Sequence, residues 1–516
     1  MVVLRRWLMT ALCLGLVVGA AAVVALLAWP SVGVAASTSG LAGVSLPGFS
    51  GHIDHVSVKG ADGKQLPFVL RGDTIWPRAR LTPGERVTVT VQSRRPSWIG
   101  WLVGRREVRT MTVMTPVAHL RSTLLRPRRG SAVTVSFAEP VARVVIGGAR
   151  HRRLGDGRSV VPLGVVASAN ATAGTTTVAA AVRPWESLSK PHRVSWFVPG
   201  SRTRIVADPV AGSRVAPLAP LILTFAQPVS SVLGSRLPTM EPAMPGRWVQ
   251  LDSHTLSFRP TGLGFGLGGT VQVRLPGKTL GWTVASGSTL RLQELLARLG
   301  YLPLSWNQAT DPPPTPASEV ADAVSAPHGV FSWRYPGTPA SLQTLWKEGK
   351  WNVVTQGAVM RFEQEHALGT DGVAGPQVWR ALIHDDLTGR RSDAGYSYVF
   401  VHETLPQSLS LWHDGRVILT SPGNTGIASA PTATGTWPVF EHIPTGTMSG
   451  TNPDGSHYHD PGIRWISYFH GGDALHEFPR ASFGTPQSLG CVELPEGAAA
   501  QVWPYTPIGT LVTIES

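Results

Sequence analysis

Cysteine is nearly absent from this chain: its 516 residues contain two, Cys13 and Cys491. Cys13 lies inside an uncharged apolar run, so the two do not pair and a disulfide framework is excluded. Metal signatures are missing too. With no H-E-x-x-H sequence and no paired-cysteine spacing, His457, His459 and His470 do not read as a zinc site despite their nearness to His476, and no cofactor is called for. Charge is sparse, at 15% Asp, Glu, Lys and Arg, against 43 prolines and 56 glycines, a balance that favours turn-rich β structure over long helices. From Ala394 to the C-terminus there is no lysine at all, and Arg416, Arg464 and Arg480 stand against ten acidic residues, a net of −7. Since the formal total is +13, everything before Ala394 carries +20.

What is present begins with residues 7–29, WLMTALCLGLVVGAAAVVALLAW. They hold no charge and are long enough to cross a hydrocarbon core of roughly 30 Å as a helix. Arg5 and Arg6 precede the run, and Trp7 and Trp29 bracket it. That pattern sets the N-terminus in the cytoplasm and everything after Pro30 outside, as a single-pass protein of the cell membrane. The small residues near Ala36 offer a cleavage point that would make the protein secreted. The apolar core exceeds the roughly 7 to 15 residues of a signal peptide, however, so residues 1–36 are expected to stay as an anchor. The basic runs RPRRG (126–130) and ARHRR (149–153) suit anionic lipid head groups or anionic wall polymers. Export disfavours a nucleic-acid partner.

The pattern of the rest is multidomain and mostly β. Between 40 and 283, segments such as RVTVTVQS and TVQVRL alternate at period 2 between turn residues. An echo 88 residues apart, TVSFAEPVARVV from Thr134 and ILTFAQPVSSVL from Ile222, resembles tandem immunoglobulin-like sandwiches, read as a region at 40–205 and a domain at 206–283. The period then changes. Leu290, Leu292, Leu295, Leu296 and Leu299 recur at helical spacing and Gly300 stops them; two further helices are predicted, the last starting near Pro376. Over 288–383 the order LQ..L..LGY, AV..FEQ, DGVAGPQVWRAL resembles a three-helix peptidoglycan-binding domain, from which it departs in the long loop at 303–350. Strands return from 394 to 516.

Cys491 sits in this last segment, 15 residues after His476 and directly after Gly490. In an exported protein a lone thiol is either inert and buried or reactive. A nearby imidazole depresses a thiol's pKa and accepts its proton, and the amides of Gly490 and Cys491 could face a developing oxyanion. Tyr458 and Tyr468 offer hydroxyls to a substrate, although strand tyrosines usually serve packing.

The stretch YFHGGDALHEFPRASFGTPQSLGCVELP resembles the catalytic segment of L,D-transpeptidases of the YkuD type, whose signature is a His followed some fifteen residues later by Ser-x-Gly-Cys. Ser488, Gly490 and Cys491 fall on that signature and His476 on its histidine; Pro431 to Gly435 resembles the family's Thr-Pro-x-Gly motif. The resemblance implies a β-rich catalytic domain. It implies Cys491 as nucleophile, His476 as base and Gly490 in the oxyanion contact, with Ser488 on the signature beside them; Tyr468 and His470 are read from the residues themselves as substrate-side candidates, His470 in a supporting place beside the strand. The substrates implied are peptidoglycan stem peptides, joined by 3,3 cross-links. Leu489 stands where many members have a second His, and Glu493 where many have Arg or Asn. Two other readings stay open: an L,D-carboxypeptidase using water as acceptor, and a non-catalytic wall-anchoring protein with a degenerate C-terminal domain.

Overall fold

A computed structural model describes Met9, residues 14–20, Val23 and residues 31–48, 51–97, 100, 104–308 and 315–516. The expected membrane helix at 7–29 lies largely outside the described residues. Among those described, no helix is long and apolar enough to cross a membrane. The chain divides into two compact units, residues 1–206 with 224–226, and residues 207–223 with 227–516.

Past the helical residues described at 14–20, the first unit is built mainly of strands, and its described residues form two hydrophobic cores. A four-stranded sheet (Gly33–Ala36, Ala42–Ser45, Thr74–Pro77, Phe68–Arg71) and a three-stranded sheet (His52–Lys59, Arg86–Arg94, Arg106–Met114) enclose Leu41, Val58, Ile75 and Val89. The strand Arg86–Arg94 buries every second residue, as its alternating sequence requires of a half-buried strand. A five-stranded sheet, with Ala132–Ile146 paired between Arg150–Val166 and Ala173–Ala181, surrounds a second core around Val133, Phe137, Val161 and Val178.

The duplicated Phe-Ala-Glu/Gln-Pro-Val motif takes two different paths. Phe137 and Phe225 are both buried, as a core position demands. Around Pro140 the chain stays extended and the ladder slips between the Ser136 and Val141 pairs, so the missing proline N–H falls at an irregularity, where the sheet tolerates it. Pro228 instead opens a short helix, Val229–Leu233.

In the second unit, Gly246–Asp252 pairs with Thr255–Pro260, and a four-stranded sheet runs Arg214–Val215, Lys278–Val284, Thr270–Leu275, Thr239–Glu241. The helical segment follows. Ser288 caps α1 (Thr289–Arg298), Thr315 caps α2 (Pro316–Ala323), then come α3 (Ala340–Leu345), α4 (Val353–Glu365, capped by Asn352) and α5 (Pro376–Thr388). Three of these five helices sit where the leucine and Phe-Glu-Gln patterns place them. Within the described part of the loop at 303–350, Leu304–Asn307 pairs with Val330–Trp333 and sets Trp306 edge-on to Phe331. The helical core is not self-contained. Leu292, Leu295, Phe362 and Trp379 belong to one cluster with Tyr398, Trp412 and Leu511 from the segment that follows.

That segment has nine strands. A five-stranded sheet is ordered β3-β2-β1-β9-β4, where β1 is Ser397–His402, β2 Ser408–His413, β3 Arg416–Pro422, β4 Gly435–Pro438 and β9 Leu511–Glu515. The second sheet is ordered β5-β6-β7-β8, with β5 Glu441–Thr451, β6 His457–His470, β7 Asp473–Glu477 and β8 Val492–Leu494. Helix α6 (Glu496–Val502) and the two sheets close over Val399, Leu411, Phe469, Val492 and Ile514.

Candidate active site

Strands β7 and β8 are parallel, with Leu475 opposite Val492 and His476 opposite Glu493. Side chains alternate along a strand, so Ala474 and His476 share one face of β7, and Cys491 and Glu493 share that face of the neighbouring chain. This register makes the thiol and the imidazole diagonal neighbours. Both line one cleft of about 950 Å³, together with Ser488, Tyr458 and Tyr468. The β5–β6 hairpin overhangs it, since Asn452 and Asp454 from its turn also line the cleft.

His476 is almost fully buried, and its Nδ1 lies 2.6 Å from the Glu477 carbonyl oxygen. A carbonyl only accepts, so Nδ1 carries the proton and Nε2 keeps a free lone pair. Burial pushes the imidazole below its ordinary pKa, with the Glu493 and Glu477 carboxylates pulling the other way. His476 is therefore a neutral base at pH 7.

Cys491 differs from the sequence expectation. Its Sγ faces the Gly472 carbonyl oxygen at 3.6 Å, and no hydrogen bond joins it to His476 among the described residues. Burial pushes the thiol up to about 12; the Ala474 amide opposes that shift, while the Asp473 and Glu493 carboxylates add to it. A neutral imidazole offers no charge to hold a thiolate, so the resting pair is thiol and imidazole rather than a preformed ion pair. Proton transfer must accompany attack.

The Ser-x-Gly-Cys turn is held from both sides. Ser488 Oγ donates to the Cys491 carbonyl oxygen at 2.5 Å and accepts from the Gly490 amide at 3.2 Å. The Gly490 N–H, expected at the oxyanion, is engaged here inside the turn by Ser488 Oγ. Gly490 has φ +117°, and a Cβ there would collide with Asp473 Oδ1, so only glycine fits. The adjoining loop straps the turn in place through Gln487 N to Thr425 O (2.9 Å) and Ile427 N to Ser488 O (3.0 Å). Thr432, in the Pro431–Gly435 stretch, accepts from the Gly426 amide at 2.8 Å.

His470 is not among the residues lining the cleft. Half exposed, it packs on Trp437 with ring centroids 4.3 Å apart and approaches Asp473 Oδ2 at 3.6 Å. Tyr468 and Tyr458 do line the cleft, and their hydroxyls are raised first by burial and then by the charge of the Cys491 thiolate. Neither His457 nor His459 lines it. Each faces a hydroxyl across the hairpin, Thr451 and Ser449 respectively.

Three contributors were missed in the sequence. Asp473 borders the thiol while its carboxylate accepts from the Ala433 amide at 3.1 Å. Arg480 forks onto Glu493 at 2.8 and 2.6 Å, so the unusual acid at 493 is neutralised from a loop thirteen residues upstream. Asn424 is fully buried, and its Oδ1 accepts from the Gly484 amide at 3.0 Å. The one sequence cue to Arg480 was that it is one of only three cations after Ala394.

The family model of the L,D-transpeptidase catalytic domain, YkuD, matches residues 396–514. Those residues are an L,D-transpeptidase catalytic domain. Among solved structures, an L,D-transpeptidase from Mycobacterium smegmatis is 13% identical, covering 61% of this chain and 100% of that one, with a TM-score of 0.22. L,D-transpeptidase 3 from Mycobacterium tuberculosis is 12% identical over 60% of this chain and 97% of that one, at 0.22. The catalytic domain of the E. faecium L,D-transpeptidase is 22% identical over 24% of this chain and 100% of that one, again at 0.22. No curated protein matches the chain. The matched L,D-transpeptidase domain contains both strands of the Cys491–His476 pair and the whole cleft.

Proposed function

We propose that the chain is a cell-wall L,D-transpeptidase with Cys491 as nucleophile and His476 as base. The reading rests on one observation above others: thiol and neutral imidazole are diagonal neighbours on one face of β7 and β8 and line the same cleft of the matched domain. Sγ attacks the carbonyl of the third residue of a donor tetrapeptide stem while its proton passes to His476 Nε2. The tetrahedral oxyanion is met by the Cys491 amide, since the Gly490 amide is held by Ser488. Collapse breaks the C–N bond, the imidazolium protonates the departing amine, and D-alanine leaves. An acceptor amine then attacks the thioester, gives its proton to His476, and the sulfur departs and regains that proton. The product is a 3,3 cross-link between stems. With water in place of the amine, the same steps make an L,D-carboxypeptidase.

Residues 288–383 serve in this reading as a peptidoglycan-binding module and the β domains as spacers behind a membrane segment at 7–29. A second reading is favoured by the thiol's high pKa and its lack of a bond to His476: a wall-anchoring protein with a silent site. A carbapenem separates the two. Incubated with imipenem, the parent protein is expected to gain one adduct mass on Cys491, and Cys491→Ala none, with its unfolding free energy changed by no more than about 1 to 2 kcal/mol. Transfer between stem peptides persisting in Cys491→Ala would remove the assignment, and an unmodified parent thiol would establish the second reading.

A further inference from the structure

The first unit contains a feature that acyl transfer does not use. A cleft of about 560 Å³ is lined by Arg80, Arg143, His151, Arg152 and Arg153, with no acidic residue in its lining, and a second of about 350 Å³ shares Arg80, Arg143 and Arg153 with it. The cations are set there by backbone. Arg143 and Arg153 face each other as a cross-strand pair in the hairpin formed by Ala132–Ile146 and Arg150–Val166. Arg80 is brought beside them because the next residue, Leu81, bridges to Glu186, with the Ser187 amide donating to the Leu81 carbonyl at 2.8 Å.

Directly opposed like charges destabilise a sheet unless something neutralises them. No ion pair among the described residues does so. Arg143 spends its guanidinium on the carbonyls of Glu186 (2.9 Å) and Pro184 (3.4 Å), and Arg152 on that of Pro162 (3.3 Å). Neither Arg80 nor Arg153 has an ion pair among the described residues. Glu186, beside which Arg143 is anchored, is fully buried, and its carboxylate accepts from the Arg183 amide instead. Burial first, then Arg80 and Arg153, lower the pKa of Arg143, which is the electrostatic mark of an uncompensated cluster.

We infer that the Arg80–Arg143–Arg153 cleft is a binding site for a phosphate group, as a monoester or diester, whose oxygens take the N–H donors of Arg80 and Arg153 and those that Arg143 does not commit to the carbonyls. Guanidinium forks match phosphate oxygens in pairs, and three converging on one cleft give a defined site rather than a diffuse basic face. The site is independent of the chemistry at Cys491.

The test uses the full-length protein and calorimetric titration with inorganic pyrophosphate, with a poly(glycerol phosphate) chain, and with vesicles of phosphatidylcholine carrying phosphatidylglycerol. Arg80→Gln and Arg153→Gln, whose side chains hold nothing else in place, are expected to weaken pyrophosphate binding about tenfold or more each. Arg71→Gln, which removes an equal charge from another strand of the same unit, should leave it unchanged. Arg153→Gln should also melt higher than the parent at low salt, because the opposed pair is gone, and should lose the extra stabilisation that pyrophosphate gives the parent. Binding of the polymer but not of vesicles, or vesicle binding that pyrophosphate competes away, identifies the source as wall polymer or lipid head group, and either supports the site. Parent and variants share the same N-terminal segment, so only their difference is read. Equal weakening by Arg71→Gln, or no binding to any of the three probes, overturns the inference.

Discussion

The two residues that carry the proposed chemistry are set to opposite ends of their titration ranges by the same cause, burial. His476 is pushed below its ordinary value and Cys491 up to about 12. The sign of each effect on stability follows. An unfolded histidine takes up a proton at about pH 6.5 and the folded one later, so folding loses stability as pH falls below about 6.5. An unfolded thiol ionises at about pH 8.5 and the folded one not until about 12, so stability is lost again as pH rises above about 8.5. Between these limits the pair contributes no slope. For the reaction, the base form of His476 is present throughout that interval, so the acid limb of imipenem acylation is expected below pH 6.5. His476→Gln should slow acylation by roughly 10² to 10⁴ at pH 7, and His470→Gln, whose ring packs on Trp437 outside the cleft, much less. The reverse order would place the base on His470. Asp473 supplies a sharper check. Its carboxylate raises the thiol's pKa, and an amide keeps the acceptor that holds the Ala433 amide. Asp473→Asn should therefore move the pH profile of iodoacetamide alkylation of Cys491 to lower pH; an upward move would show that this charge does not act on the thiol. The pairing of Cys491 with His476 could be found from spacing and motif, because the two lie within one short segment, His476 on β7 and Cys491 directly before β8. Asp473 could not, since its role comes from the tight approach of Gly490 across the sheet rather than from any pattern along the chain.

At the scale of elements, the least expected feature is how the cleft accommodates Glu493. A carboxylate on the face shared with the nucleophile opposes thiolate formation, yet here it is 4% exposed and forked by Arg480. Removing one member of such a pair leaves a buried charge, whereas removing both often costs little. Arg480→Met is thus expected to destabilise the protein by about 3 kcal/mol in denaturant unfolding, and Arg480→Met with Glu493→Met by clearly less. Additive losses would mean that the pair is not coupled. The alternating strands and the Leu-rich helix were legible from period alone, as Arg86–Arg94 and Thr289–Arg298 show. The fate of the repeated Phe-Ala-x-Pro-Val was not, because the same proline is tolerated at a sheet irregularity after Phe137 and starts a helix after Phe225. Which outcome applies depends on pairing partners far away in sequence.

For the second unit as a whole, the boundary read between 383 and 394 is a change of secondary structure and not a break in the core. Leu292, Leu295, Phe362 and Trp379 are packed in one cluster with Tyr398, Trp412 and Leu511, none of them more than 3% exposed. Tyr335, in the loop before α3, meets the Trp412 ring edge-on at 5.6 Å. Helix α4 approaches the chain before β9 so closely that a Cβ on Gly357 would collide with the Gly509 carbonyl oxygen. Periodicity could reveal the apolar stripe of each helix but not what covers it, and from sequence alone residues 288–383 read as a module able to fold by itself. The shared core argues otherwise. Cutting at residue 393 strips Tyr398, Trp412 and Leu511 from the cluster and exposes the apolar surfaces they cover, at about 25 cal/mol per Å² of newly wetted area. A fragment of residues 288–393 is therefore expected to show reduced helical circular dichroism and a broad, weakly cooperative melt, while residues 207–516 give a single sharp transition and retain binding to isolated sacculi. If the short fragment melted sharply at the temperature of the longer one, the helical segment would be an autonomous module after all, and its packing against Trp412 would be a contact between independent domains.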